Sequence, residues 1–299
     1  MENSAPKGRS VTFASFGLRT ITMRDTEFVY EDGSPFNVVK YSRFKYGDTN
    51  VAAAYGLEMS TRLKACVLDA AERRREPVVI TASAYKMLPT AARSLVQVIH
   101  DRLHADGYKI DSGRIHRLNL TNGDYAAMTT EERESAMRQN GIHIDEELFL
   151  GRHVIVVDDI KITGAHERSI REMFTGRAIL SLTHIYVVQM DPRLVAEDPT
   201  AEDTLNRAWV NGLDQLSELI RANPSEYLFN ARTVKLILSS EPAELCNFLD
   251  TLTTEHIQKL YEGATGDGYQ LMAPYAAGFA CLAAETRARG IVQQGSSYR

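Results

Sequence analysis

The sequence has few cysteines and lacks the short motifs that mark most metal and nucleophile sites. Its three cysteines, Cys66, Cys246 and Cys281, lie far apart in a chain of 299 residues. This spacing differs from that of zinc sites and disulfide frameworks, and it indicates reduced thiols in a reducing compartment. Gly-x-Ser-x-Gly, Walker and Cys-x-x-Cys elements are all absent from the sequence.

The chain also lacks an excess of positive charge and a long apolar run. Its net charge of −5 argues against a general binder of nucleic acids or anionic membranes. The most apolar stretch, residues 274–284, is too short to span a bilayer. The first residues lack the apolar core of a signal peptide. We therefore expect a cytoplasmic protein with neither nucleic-acid nor membrane partners.

What the sequence does contain is an alternation of strand and helix patterns, followed by helices alone. Apolar runs and turn signals predict strands at residues 20–23, 27–30, 77–81, 114–120, 154–157 and 178–188. Helical spacing is found at residues 49–75, 89–103 and 166–174, and repeatedly after residue 205. This order predicts an α/β fold with a doubly wound, mostly parallel sheet. We expect an N-terminal β hood (residues 1–48), an α/β core (49–192) and a helical C-terminal region (193–299).

The most informative stretch is residues 154–165. Four consecutive β-branched residues are typical of a strand buried on both faces, and this strand ends at Asp158 and Asp159. Two adjacent acids are poorly explained by structure alone, because they repel each other. A short turn, residues 162–165, then leads into a helix. Backbone N–H groups at such a helix start form a natural anion site.

This stretch resembles the phosphoribosyl-diphosphate (PRPP) binding signature of type I phosphoribosyltransferases. The resemblance implies that Asp158 and Asp159 are catalytic and bind the ribose hydroxyls, with negative charge near the anomeric carbon. It implies that the rest of the ribose 5-phosphate is bound by Lys161, Ile162, Thr163, Gly164, Ala165 and His166. The family's turn more often reads Thr-Thr-Gly-Ala-Thr, so Ile162 and His166 replace two hydroxyl groups here.

Two further segments acquire roles from the same resemblance. The resemblance implies that diphosphate binds at the loop after the strand at residues 77–81. The residues concerned are Ser83, Ala84, Tyr85 and Lys86, together with Arg117 from the next strand. The resemblance also implies that the long polar connection after residue 120 is a lid that closes over PRPP, with Tyr125 as one of its residues. Read alone, Lys86 is more typical of a solvated surface side chain.

Residues 41–48 are dense in aromatic and basic side chains. On composition alone they are typical of a strand edge with solvated Arg and Lys. In phosphoribosyltransferases a variable hood covers the acceptor side, and the resemblance makes Tyr41, Arg43 and Lys45 candidates for it.

The sequence therefore predicts a phosphoribosyltransferase that moves ribose 5-phosphate from PRPP to a small, nitrogenous acceptor and releases diphosphate. Mg²⁺ is expected to arrive with PRPP and to be held mostly by substrate oxygens and water, with Asp158 and Asp159 as candidate protein ligands. Two alternatives stay open: a non-catalytic PRPP sensor or regulator, and a hydrolase or phosphorylase of a ribosyl phosphate. The segment from Ile162 to Glu167 is similar to the Ile-Thr-Gly-x-His-Glu of larger bacterial phosphoribosyltransferase-like proteins. The helical region would either complete the acceptor pocket or form the surface of a homodimer.

Overall fold

The structure, a computed structural model, describes residues 11–117, 142–223 and 227–291. Its strands are β1 (Thr12–Arg24), β2 (Glu27–Tyr30), β3 (Val78–Ala82), β4 (Ile110–Ser112), β5 (Ile115–Arg117), β6 (Ile142–Ile144), β7 (His153–Lys161) and β8 (Ser181–Met190). Six of them form the main sheet in the order β2-β1-β8-β7-β3-β4. All neighbours in it are parallel except β1 and β2, whereas β5 and β6 form a separate antiparallel pair.

The helices fall into two groups, one interleaved with the strands and one after them. The first group is α1 (Val38–Lys45), α2 (Thr49–Leu63), a π-helical turn (Lys64–Leu68), α3 (Asp69–Arg74), α4 (Ala92–Ala105), α5 (Glu146–Phe149) and α6 (Ala165–Phe174). The second is α7 (Pro192–Glu197), α8 (Ala201–Arg207), α9 (Leu213–Ala222), α10 (Ala231–Leu238), α11 (Pro242–Asp250), α12 (Thr254–Asp267), a 3₁₀ turn (Tyr269–Leu271) and α13 (Ala276–Ala288).

The sheet is buried on both faces because its central strands alternate apolar side chains between two cores. On β7, Ile155 and Val157 face a core that includes residues of α1, α2 and α4. Val154 and Val156 face the opposite core, which includes Ile170 and other residues of α5 and α6. The predicted α/β class, its mostly parallel sheet and its helical C-terminal region are confirmed.

The helices after β8 build a third core of their own. Buried side chains from α9 to α13 pack together there, and Tyr46 and Leu88 from the α/β part join them. At one crossing Gly278 of α13 lies so close to α10 that an added Cβ would come within 2.2 Å of the Leu238 carbonyl oxygen. Across the described part of the chain, no helix has the length and apolar character needed to cross a bilayer.

Three predictions about the elements are wrong in detail. The N-terminal strands do not stand apart as a hood, because β1 runs parallel to β8 along nine paired positions of the main sheet. Residues 41–45 lie in helix α1 rather than on a strand edge. The segment predicted as one core strand, residues 114–120, instead follows a short sheet strand, β4, and contributes β5 to the separate pair. The division into three regions itself stays a prediction.

Candidate functional site

The carboxylate pair lies at the end of β7, where strand and turn place both side chains in one cavity. Asp158 and Asp159 are each only 8% exposed, and both line a cavity of about 690 Å³. The backbone nitrogen of Asp159 donates to Asp158 Oδ1 over 3.0 Å, and that of Ile160 donates to Asp159 Oδ1 over 2.7 Å. Ligands of parallel α/β sheets collect at the carboxyl ends of the strands, and this pair lies at that edge.

His166, in the first turn of α6, forms an ion pair with the first of these acids. Its Nδ1 lies 2.9 Å from Asp158 Oδ2, and the imidazole lines the cavity. The surrounding protein disfavours the charged imidazole, but the hydrogen bond and the charge of Asp158 outweigh this effect, so the pKa of His166 is raised. The imidazole is therefore a cation over a wider pH range than a free histidine.

Lys45, the last residue of α1, forms an ion pair with the second acid. Its Nζ donates to Asp159 Oδ2, and the lysine is only 6% exposed. The two neighbours predicted with it lie elsewhere: Tyr41 is fully buried under the sheet, and Arg43 binds Asp48 at 2.8 Å. Of the three hood candidates, Lys45 alone is among the cavity-lining residues of the described chain.

The loop after β3 contributes small residues to the cavity. Ser83 and Ala84 line it, and Ser83 Oγ lies 3.4 Å from Asp158 Oδ1. Tyr85 and Lys86 are not among its lining residues. The guanidinium of Arg114 packs over the Tyr85 ring, 4.2 Å from its centroid, and donates to the Lys86 carbonyl.

Arg117 reaches the cavity because β5 is held by this same loop. Its backbone nitrogen donates to the Tyr85 carbonyl over 3.0 Å, and its side chain lines the cavity. The sequence placed Arg117 at the end of a core strand. Arg117 instead lies in the short β5–β6 pair outside the main sheet, and this pair places its side chain at the cavity. Tyr125, predicted as a lid residue, lies outside the described residues.

The turn predicted to hold the 5′-phosphate lies beside the cavity. Ile162 packs against the core, and Gly164 caps α6 in a left-handed conformation (φ 70°) that a side chain would strain. Lys161, Ile162, Thr163, Gly164 and Ala165 are not among the cavity-lining residues. Lys161 instead binds Glu167 at 2.7 Å, and Ser15 of β1 donates to the same carboxylate.

The helical C-terminal region lines the cavity together with the strand ends, which was one of the two alternatives that the sequence left open, but the sequence did not indicate which residues do so. We define the helical wall as the polar cavity-lining residues of this region: Arg207, Asn211, Asn230, Arg232, Lys235, Ser239 and Tyr275. Most of α10's contribution follows a helical stripe that includes Arg232, Lys235 and Ser239. An amphipathic helix shows the same pattern when its polar face is solvated, so no local signal distinguishes the two.

Long-range hydrogen bonds connect this wall to the Lys45 end of α1 and to the loop after β3. Asn230 Nδ2 donates to the Lys45 carbonyl over 3.0 Å, and the Ala231 nitrogen donates to the Pro89 carbonyl over 3.0 Å. The Asp267 carboxylate accepts from the backbone nitrogen of Met87 at 2.7 Å. Both the C-terminal end of α1, at Lys45, and the loop after β3 are thus positioned by hydrogen bonds to the C-terminal helices.

Asp158 and Asp159 could supply only part of the coordination shell of a Mg²⁺ ion. Mg²⁺ prefers oxygen donors in octahedral geometry, and each oxygen of Asp158 and Asp159 already accepts a hydrogen bond. Among the residues that the structure describes, no group of three or more His, Cys, Asp or Glu could hold a metal ion. The donor set therefore fits an ion that arrives with most of its ligands supplied by a substrate and water.

A buried histidine beside the turn gives the protein a predicted sensitivity to acid. Burial is the main cause that lowers the pKa of His184 to about 4, and its Nε2 has no hydrogen-bond partner in the described part of the chain. The unfolded imidazole titrates near 6.5. The unfolded chain therefore binds the proton first, and stability that is present above pH 6.5 is lost as the pH falls toward 4.

We expect this single group to cost ~3 kcal/mol of unfolding free energy between pH 6.5 and pH 4. Urea unfolding of wild type and His184→Gln at both pH values tests it, and the variant should lose less stability on acidification. His104→Gln, at an exposed position of α4, serves as the control. Equal pH dependence of His184→Gln and wild type would contradict the prediction.

Comparisons with known proteins found partial structural likenesses and one extensive family match. Solved structures that resemble this chain include the hypoxanthine-guanine phosphoribosyltransferase of Leishmania tarentolae in complex with GMP (11% identity, covering 50% of this chain and 72% of that one, TM-score 0.35). Two others are hypoxanthine phosphoribosyltransferase from Staphylococcus aureus (15%, 53% and 75%, TM-score 0.32) and its hypoxanthine-guanine counterpart from Bacillus anthracis (14%, 50% and 73%, TM-score 0.30). These likenesses are too weak to support a conclusion about substrate. No curated protein matches the sequence significantly.

The family comparison covers much more of the molecule. The model described as PRTase ComF-like matches residues 20–282, which include the whole main sheet from the middle of β1 onward and most of the helical region. The chain therefore belongs to the PRTase ComF-like family of phosphoribosyltransferase-like proteins.

Proposed function

We propose that the protein is a PRPP-dependent phosphoribosyltransferase that transfers ribose 5-phosphate to a small nitrogenous acceptor. In this reaction a nitrogen attacks the anomeric carbon, the carbon–oxygen bond to diphosphate breaks, and the nitrogen releases a proton. The observation that carries the proposal is the cavity itself. Two buried carboxylates at a strand end face Lys45, Arg117 and His166 in a space of about 690 Å³, a volume within the usual range for ligand pockets.

The residues suggest how the two halves of PRPP would bind. Asp158 and Asp159 can accept hydrogen bonds from the ribose hydroxyls and stabilise the positive charge that develops as diphosphate leaves. The start of α6 suits the 5′-phosphate, as helix N-termini do generally. The Ser83–Ala84 loop and Arg117 suit the diphosphate, with Mg²⁺ neutralising part of its charge when it is bound. Catalysis would then depend on positioning and charge rather than on a protein nucleophile.

A second candidate, a PRPP sensor or regulator without turnover, is supported by the two ion pairs of the site. Lys45 and His166 already satisfy both carboxylates, so a ribose would have to share or displace these contacts. Such a site could bind PRPP without positioning an acceptor. Diphosphate release in a screen of acceptors separates the two functions, because a sensor releases none.

Calorimetric titration with PRPP and Mg²⁺ tests the premise that both candidates share. We expect binding with a dissociation constant in the micromolar to millimolar range, because the cavity offers several cations to a ligand that carries a 5′-phosphate and a diphosphate. Ribose 5-phosphate should bind more weakly, since it lacks the diphosphate. Absence of heat with PRPP across that range, from protein with an intact unfolding transition, would refute both. A cytoplasmic location and a homodimer also stay predictions.

A further inference from the structure

The helical wall carries positive charge and no acidic side chain toward the cavity. Arg207, Arg232 and Lys235 line the cavity from this side. Among the described lining residues, Asp158 and Asp159 are the only acids, and both belong to the opposite edge. The wall is therefore a basic surface that faces the place where a second substrate would enter.

The three cations of the wall are unequally neutralised. Arg207 binds Asp203 at 2.9 Å, and Arg232 has Glu202 at 3.8 Å. The side-chain ammonium of Lys235 has no hydrogen bond or ion pair to another residue that the structure describes. Partial burial and the charges of Arg232 and Arg117 lower the pKa of Lys235, and the charge of Asp267 opposes them in part. The cations around Lys235 therefore repel its ammonium, and a bound anion would relieve that repulsion.

The position of Arg232 separates it from the expected diphosphate site. It lies two residues after Asn230, which binds the Lys45 carbonyl beside Asp159. The diphosphate candidates, Ser83, Ala84 and Arg117, belong to the loop after β3 and to β5.

From this arrangement we infer that the acceptor carries an acidic group, a carboxylate or a phosphate, which Arg232 and Lys235 bind. The inference rests on the proposed function, because it assigns the second substrate of that same cavity. A neutral base would need ring stacking and amide contacts, and the wall offers one ring, Tyr275, and the amides of Asn211 and Asn230, of which Asn230 is already engaged with Lys45. An acidic heterocycle could use that ring and the two cations together.

Matched pairs of small heterocycles test the inference by ligand-observed NMR at millimolar concentration. Each pair shares a ring and differs in one carboxylate: nicotinate with nicotinamide, and orotate with uracil. The protein is saturated with PRPP and Mg²⁺, so that the diphosphate site is filled. We expect the acids to bind and their neutral partners to bind at least tenfold more weakly. The acids should bind at least tenfold more weakly to Arg232→Gln and Lys235→Gln, since each removes a charge-assisted hydrogen bond. Lys259→Gln, an exposed residue paired with Glu255, should bind the acids like wild type.

The outcomes separate this inference from the proposed function. Neutral partners that bind as well as the acids, or no binding of either acid, would overturn an acidic acceptor while PRPP binding still stands. Acids that PRPP or inorganic diphosphate displaces would show that the wall serves the diphosphate, which also overturns it. Loss of PRPP binding by the wild type would instead refute the proposed function.

Discussion

Replacing Asp159 with Asn is expected to lower the free energy of unfolding by about 3–5 kcal/mol. The substitution leaves the Lys45 ammonium in a nearly closed environment, 6% exposed, without its counter-charge. The side chain cannot escape to water easily, because α1 is anchored in the core on one side by its own aromatic residues Tyr41 and Phe44. On the other side Asn230 holds its last carbonyl. Chemical denaturation monitored by circular dichroism measures the difference.

Two further variants show whether the cost comes from the unpaired charge. The double variant Lys45→Met, Asp159→Asn removes both charges and should recover a large part of the lost stability, because neither buried ion then lacks a partner. Glu255→Gln breaks the exposed pair with Lys259 and should cost no more than about 1 kcal/mol. If the double variant were as unstable as Asp159→Asn alone, the buried charge would not be the cause.

Local sequence patterns could predict the strands whose apolar residues directly show which positions are buried. The four β-branched residues of β7 alternate between two cores, as their pattern predicts, although the strand continues through both acids to Lys161. Likewise the apolar runs of β3 and β8 were placed to within a few residues. Such segments are decided by local hydrophobic pattern, which the sequence displays directly.

Helix α1 was mistaken for a strand edge because its aromatic residues favour strands on average. Tyr41, Phe44 and Lys45 are buried on one helical face, and that spacing is visible in the sequence. Asn37 is also a typical N-cap, and its side chain accepts from the Lys40 nitrogen at 2.8 Å. The cap and the spacing together could have identified the helix. The average strand propensity of the aromatic residues was therefore a weaker predictor than the N-cap and the helical spacing.

The helical wall could not be predicted, because it depends on contacts between residues far apart in the chain. Asn230 and Lys45 are 185 positions apart, and Asp267 and Met87 are 180 apart. The spacing of residues within one helix or strand gives no information about contacts between such distant residues. The sequence therefore singled out the carboxylates and the loop after β3 as candidates. It left open whether the helical region completes the pocket, and it named no residue there.

Asp158→Asn is expected to reduce kcat/KM for diphosphate release by about 10²–10³-fold. Asn keeps the size of the side chain but removes the negative charge that would stabilise the developing positive charge on the ribose. It also removes the group that raises the pKa of His166, so the histidine should lose its proton at a lower pH than in wild type. Activity is measured with the acceptor that the screen identifies, and the pKa of His166 by NMR titration.

These two readouts distinguish a catalytic carboxylate from a structural one. Asp111→Asn makes the same chemical change at the exposed pair with Arg152 on β4, outside the cavity, and should leave both activity and the His166 titration unchanged. A lower His166 pKa with wild-type activity would place Asp158 beside the reaction without a part in it. An unchanged His166 pKa would contradict the ion pair itself. Only the combined loss, in a variant that unfolds at the wild-type urea concentration, supports a carboxylate that acts on the ribose.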